Sequence, residues 1–452
     1  MKLLLKGGLV VLEERTVLKD MLISKGVIQS IKSNLQADLD THIIDCTNKI
    51  ILPGVIDSHV HFNMPCGIND RTIDDFYSGS LSAACGGVTT VVDYVEPLDN
   101  QPPQKAVDNR MIEAKDICID YALHYVIRQW NELFLKELEE VINSGINSLK
   151  VFTAYEDMML SYNEINDLLE WSKRNNILVS FHAEEEGIIV DKKRELLETS
   201  RTDSTFHAIS RPVEAEVEAV RKIIDISSRV DTPVYFVHIS SSEAAEEIRE
   251  AQRKGLKILA ETCPHYLFLN SEKYLNSDNP QMFIMCPPLR EERQRLELCR
   301  AIKEDVFSVI ATDHCAFTKS QKVRSLKFFE VLPGIPGVET LLPLMYNLVA
   351  SGEMDINKLS KLLSTNPAKI FGLYPRKGVI EEGSDADIVI FNPNKRRALR
   401  AKDLHSKAEY TPFEGIILQG YPETTILRGE IIYDNEKFLG KKGYGKFVPG
   451  TK

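Results

Sequence analysis

The chain has 452 residues, 43% of them hydrophobic and 27% charged, which is ordinary for a globular enzyme with a large core. A formal net charge of −11 and the lack of a long Lys/Arg block exclude a nucleic-acid or anionic-membrane footprint. Apolar runs have strand length rather than the roughly 20 residues of a membrane helix, and Gly7-Gly8 interrupts the first apolar stretch too early for a signal peptide, so the expected location is the cytoplasm.

Residues 1–53 carry short alternating runs at Leu3–Leu5, Leu9–Leu12, Met21–Ser24, Val27–Ile31 and His42–Asp45, separated by turn residues as strands are. Matching runs recur at Ala386–Phe391, Thr424–Leu427 and Glu430–Tyr433, so segments 1–53 and 375–452 are expected to share a small flanking β-sandwich domain. Between them, residues 54–374 alternate β-branched runs with amphipathic ones. The strand candidates are Val55–His61, Thr89–Val95, Ile119–Ile127, Ser148–Ala154, Leu178–Glu184, Pro233–Ser240, Lys257–Pro264 and Ser308–Ala316. Helical patterns such as Asp74–Cys85, Leu133–Asn143, Asn163–Arg174, Glu214–Ser227 and Glu243–Arg253 lie between them. Eight such units in succession predict an α/β fold of the (β/α)8 TIM-type barrel class. Helical sequence continues over Val338–Leu348 and Ile356–Leu363, and Pro367 opens another helix near its first position. The glycine- and lysine-rich tail from Lys437 is expected to be extended and mobile unless a neighbouring subunit orders it.

Candidate chemistry collects at the ends of these strands. In Leu52-Pro53-Gly54-Val55-Ile56-Asp57-Ser58-His59-Val60-His61, residues i and i+2 of a strand share a face, so His59 and His61 can hold one metal ion between them. Lys150, His182, His238 and Asp313 end later apolar runs. Barrel active sites lie at the C-terminal ends of the strands, where all six residues fall. Histidine and carboxylate ligands suit zinc and its neighbours, and the set exceeds what one catalytic ion needs, which points to two divalent ions with a bridging ligand. Lys150 is the odd member, because an ammonium has no lone pair for a metal. It either makes a structural ion pair or has added carbon dioxide to become an anion with one oxygen for each ion.

The eight cysteines, at 46, 66, 85, 118, 263, 286, 299 and 315, form no C-x-x-C pair and read as free thiols in a reducing compartment. Asp57 and Glu184 are candidates for orienting ligand histidines. His314, next to Asp313, is expected to face away.

The motifs Asp57-Ser58-His59-Val60-His61, Ser148-Leu149-Lys150-Val151-Phe152-Thr153-Ala154-Tyr155, Phe181-His182-Ala183-Glu184, His207-Ala208-Ile209-Ser210-Arg211-Pro212, Val237-His238-Ile239-Ser240, Glu261-Thr262-Cys263-Pro264, Pro287-Pro288-Leu289-Arg290 and Thr312-Asp313-His314-Cys315 resemble the series found in the dihydropyrimidinase and hydantoinase branch of the cyclic amidohydrolases. The resemblance extends through Gly383-Ser384-Asp385-Ala386-Asp387-Ile388 and Pro412-Phe413-Glu414-Gly415. It implies a binuclear, usually zinc, hydrolase that opens a cyclic ureide to an N-carbamoyl amino acid. His59, His61 and Asp313 would hold one ion and His182 and His238 the other, with N6-carboxylated Lys150 bridging them. Asp313 would act as general base and then acid, and Tyr155 would stabilise the oxyanion. A homotetramer is also implied.

The chain departs from that pattern in its expected substrate contacts. Asn63-Met64-Pro65-Cys66 stands where the branch usually has an acidic residue and then Met-Pro-Phe, Cys286 replaces a usual serine, and Pro333-Gly334 replaces a common Asn-Gly. Proline has no N–H, so only the Pro333 carbonyl remains to meet a substrate. Dihydroorotases typically carry an arginine just after His-x-His, absent here. Allantoinases share Asn63 but usually lack a tyrosine matching Tyr155. An allantoinase or other cyclic amidase is thus one alternative, a non-enzymatic assembly protein on the same fold another, and a mononuclear deaminase on the same barrel a third.

Overall fold

The computed structural model of the chain describes residues 2–67, 70–98, 101–130 and 132–451. Segments rich in Val, Ile and Leu pair in parallel, as strands covered on both faces do. In chain order they are β1 (Val55–Val60), β2 (Val88–Val95), β3 (Asp120–Val126), β4 (Ser148–Phe152), β5 (Leu178–His182), β6 (Val234–Phe236), β7 (Ile258–Thr262) and β8 (Val309–Ile310). Each pairs with its chain neighbours in one eight-stranded parallel sheet, and helices connect the strands, giving the expected α/β barrel.

The seam between β8 and β1 is not a regular ladder. A lone parallel bridge joins Val60 to His314, and the His61 N–H donates to the His314 carbonyl at 2.8 Å. The Asp57 carboxylate supplies the rest, accepting from the Thr312 N–H at 3.0 Å and the Thr312 hydroxyl at 2.5 Å. Burial pushes Asp57 up to about 7 against the pull of those bonds.

Two strands are less than half their predicted length. Pro233–Ser240 reduces to β6 and Ser308–Ala316 to β8. The chain leaves extended geometry at His238 (φ 39°) and Asp313 (φ 50°), whose left-handed backbone is rare for residues other than glycine.

The termini combine into one nine-stranded sheet: Lys2–Val11, Thr16–Ser24, Val27–Lys32, His42–Asp45 and Ile50–Pro53 from one end, Ile388–Ala398, Ile417–Leu427, Glu430–Asp434 and Lys437–Phe438 from the other. Lys2–Val11 is a single strand with a register shift between Leu5 and Gly8, where the sequence pattern suggests two. Leu3, Leu5, Met21, Ile23, Ile388 and Ile426 build a core separate from that of the barrel. The chain passes from this sheet to β1 at Gly54, where a Cβ would stand 2.1 Å from the Thr89 hydroxyl.

The stretch Val338–Leu348 opens as a 3-10 turn, Val338–Thr340, before the helix Leu341–Ala350. The next helix, Ile356–Ser360, widens into a π turn at Lys361–Thr365 before Asn366–Ile370, which has Pro367 in its first turn. No helix among the described residues is long and apolar enough to cross a membrane.

The tail corrects the expectation of a mobile segment. The Lys446 N–H donates to Asp120 at 2.9 Å, the Val448 N–H to the Tyr121 carbonyl at 2.8 Å and the Thr451 N–H to the Gly372 carbonyl at 2.9 Å. Val448 is buried with Ile56, Val92 and Ala122. Its glycines serve close approach rather than freedom, since a Cβ on Gly445 would lie 1.9 Å from the Ile119 carbonyl oxygen. Asp120, buried at the start of β3, also pairs with Lys377 and Arg428, so its charge ties barrel, flanking sheet and tail together.

Candidate active site

The His-x-His of β1 places both imidazoles against one carboxylate. His59 Nε2 lies 3.2 Å and His61 Nε2 3.1 Å from Asp313 Oδ1. Neighbouring ligands of a tetrahedral ion with bonds of about 2.0–2.1 Å stand roughly 3.3 Å apart, so the three atoms fit one cation. Burial alone would raise Asp313, but His59 and His61 outweigh it and hold the carboxyl well below the ordinary range. His61 also stacks on Tyr94 at 4.7 Å between ring centroids.

A second pair faces the first. His182, the last residue of β5, and His238, just beyond β6, approach at 2.9 Å between Nδ1 and Nε2, and the His238 ring lies 5.5 Å from that of His59. Desolvation keeps both imidazoles below their ordinary pKa, hence neutral with a lone pair to offer.

Lys150 lies on β4 at 1% exposure, and among the described residues its Nζ has no hydrogen-bond partner. Among the described residues no carboxylate pairs with it. Burial draws the amine down to about 7, opposed by the charges of Glu261, Asp313 and Glu96, so a large fraction is neutral at neutral pH. Only a neutral amine attacks carbon dioxide, so the Lys150 environment fits carboxylation better than a structural ion pair.

Glu184 stands behind a candidate ligand histidine as expected, accepting from His182 Nε2 at 2.8 Å. Asp57 does not, because its oxygens are committed to Thr312 and the His59 N–H. Glu261, to which the sequence reading gave no role, takes that place instead. It bonds His59 Nδ1, accepts from the Tyr235 hydroxyl at 2.8 Å and from the His238 N–H at 3.2 Å. The available signal was an acidic residue inside a buried strand, β7. Glu261→Gln keeps the shape but removes the charge, and metal affinity is expected to fall about 10–100-fold. Titration against a competing chelator reads this, and unchanged affinity would remove Glu261 from the support of the site. His314 turns away, its ring bonded to Asp74 and to the Gly337 and Val338 N–H groups.

Tyr155 follows β4 with φ 70°, its N–H held by Glu186 at 2.9 Å and its ring 5.3 Å from His182. Its hydroxyl accepts from Arg211 at 3.3 Å. Of the other expected substrate contacts, Cys286 and Pro333 are half-buried on loops joined by Lys322. The Lys322 ammonium donates to the carbonyls of Ile284 (2.7 Å), Leu332 (2.7 Å) and Gly334 (3.0 Å). The Pro333 carbonyl accepts a thiol bond from Cys315 at 3.7 Å. Asn63 is left-handed at φ 50° with its backbone bonded to Asp74 and Arg71, and Cys66 sits half-buried in the hairpin beyond it. Lys322→Met strands buried carbonyls that cost ~1–3 kcal/mol each when unpaired. A stability loss of about 3 kcal/mol with a raised KM is expected, read by denaturant melts and steady-state kinetics; unchanged stability would show the loops hold without the ammonium.

The model of the Amidohydrolase family matches residues 50–432. A D-phenylhydantoinase of Escherichia coli K12 is 34% identical over 99% of this chain and 98% of its own length. Among solved structures, the dihydropyrimidinase of Brevibacillus agri superposes with a TM-score of 0.97 at 34% identity, covering 100% of both chains. The D-hydantoinase of Bacillus sp. AR9 gives 0.97 at 34% identity over 99% of both. With its six convergent residues on this barrel, the chain belongs to the amidohydrolase family, within the hydantoinase and dihydropyrimidinase branch.

Proposed function

We propose that this chain hydrolyses the ring amide of a cyclic ureide, of hydantoin or dihydropyrimidine type, to an N-carbamoyl amino acid. The reading is carried by the convergence of His59, His61 and Asp313 opposite His182 and His238, with the buried Lys150 amine, unpartnered among the described residues, on the strand beside that of His182. In it, His59, His61 and Asp313 would hold one divalent ion, zinc, and His182 and His238 a second, with carboxylated Lys150 as the anionic ligand between the two sets. When bound, such ions lower the pKa of water to about 7 and polarise a carbonyl.

The chain's own groups move the protons. Asp313, ionised at neutral pH, accepts a proton from the water that attacks the ring carbonyl carbon and returns it to the leaving ring nitrogen. The net change adds hydroxyl to carbon and hydrogen to nitrogen as the C–N bond breaks. Tyr155 donates its hydroxyl proton to the carbonyl oxygen as charge builds there. The loops of Cys286 and Pro333 frame the ring, Pro333 through its carbonyl alone, while Asn63 and Cys66 shape the wall beside it.

Side-by-side hydrolysis of hydantoin, dihydrouracil, allantoin and dihydroorotate on zinc-loaded protein tests the proposal, with metal counted per chain. Hydantoin or dihydrouracil should lead, with about two ions bound. Allantoin leading would replace the substrate, and no turnover with almost no metal would favour an assembly protein. A homotetramer in the cytoplasm accompanies this reading, and light scattering reads the former.

A further inference from the structure

Arg211 is a buried cation in contact with two parts of the site. It follows the short helix His207–Ser210, and its carbonyl is tied down by Arg290 at 2.5 Å. Its Nε donates to both Glu184 oxygens at 3.1 Å, and a terminal nitrogen bonds Glu184 as well, a forked pairing that fixes the guanidinium plane. The same terminal nitrogen reaches the Tyr155 hydroxyl oxygen at 3.3 Å, and the guanidinium carbon lies 5.1 Å from the Tyr155 ring centroid.

A tyrosine hydroxyl has one proton to give, and guanidinium has no acceptor. Arg211 can therefore only donate to Tyr155, which turns the phenol proton to the opposite side. Turned away from Arg211, that proton can meet an acceptor such as a developing oxyanion. Donation from a cation also polarises the O–H bond, strengthening it as a donor. Glu184, which holds Arg211, also holds His182 at 2.8 Å, so one carboxylate orients both a ligand imidazole and the oxyanion donor.

We propose that Arg211 is a positioning residue for ring opening: clamped on Glu184, it aims the Tyr155 hydroxyl proton at the substrate oxygen. The role rests on the cyclic ureide reading above.

A double-mutant cycle with Tyr155→Phe tests it. Arg211→Lys keeps the charge facing Glu184 but not the fork, and should lower kcat about 10-fold or more with KM changed by less than about threefold and metal content unchanged. In the Tyr155→Phe background the same change should cost less than about twofold, because the hydroxyl it aims is gone. Equal losses in both backgrounds, or loss of metal together with activity, would overturn the role and leave Arg211 a structural partner of Glu184. If Arg211→Lys does not fold, Arg211→Gln runs through the same cycle under the same criteria. Wild-type protein that opens no ring overturns the functional reading and this inference with it. Active wild type with additive losses overturns this inference alone.

Discussion

Replacing Lys150 with methionine is expected to reduce turnover by about 10³-fold or more and to remove most of the bound metal, since even supporting residues around metal ligands cost about 10–100-fold. The residue is 1% exposed, lacks a carboxylate partner among the described residues and has burial pulling its amine down to about 7. A buried ammonium serving structure alone would be paired, and breaking such a pair destabilises by about 3–5 kcal/mol. Methionine matches the lysine stem in volume, so metal-free Lys150→Met protein should melt no lower than metal-free wild type. Near-normal activity and metal content in the variant would refute the binuclear site. A large loss of stability without metal would instead show that Lys150 has a structural partner.

Tyr155→Phe is expected to lower kcat about 10²–10³-fold while metal content stays constant, the scale set by removing one oxyanion donor. Burial pushes the Tyr155 phenol well above its ordinary value, against the opposing pull of Arg211. The group therefore stays protonated, and competent to donate, throughout the range in which the enzyme is assayed. It follows that the variant should lose rate at every pH without changing the shape of the pH profile. Unchanged turnover would take Tyr155 out of the mechanism, and a lost alkaline limb would show that its ionisation had been limiting.

The residues read from the chain pattern and those read from coordinates differ in kind. His59 and His61 were legible because alternation along a strand sends both to one face, and Lys150, His182, His238 and Asp313 because apolar runs ended beside them. The same rule missed what happens past a strand end. His238 and Asp313 reach the site through left-handed backbone, which no periodicity announces. Asp57 looked like support for a histidine and instead closes the barrel seam onto Thr312, 255 positions away. Glu261 supports His59 across 202 positions, a pairing set by which strands meet. The tail looked mobile because glycine and lysine are common in loose segments, yet its glycines allow backbone to pack on backbone at Ile119.

By itself the sequence determined the succession of eight strand and helix units, the joining of both ends in one flanking sheet, and the candidate side chains proposed to hold metal. These follow from which residues favour burial and from the two-residue and 3.6-residue repeats of strand and helix, which are local properties. Only the tertiary structure decided that Lys150 stands unpaired among the described residues, that Glu261 rather than Asp57 backs His59, and that Arg211 joins Glu184 to Tyr155. Each of these is a meeting of polar groups remote in the chain, and it is the closing of the barrel that brings them within bonding distance.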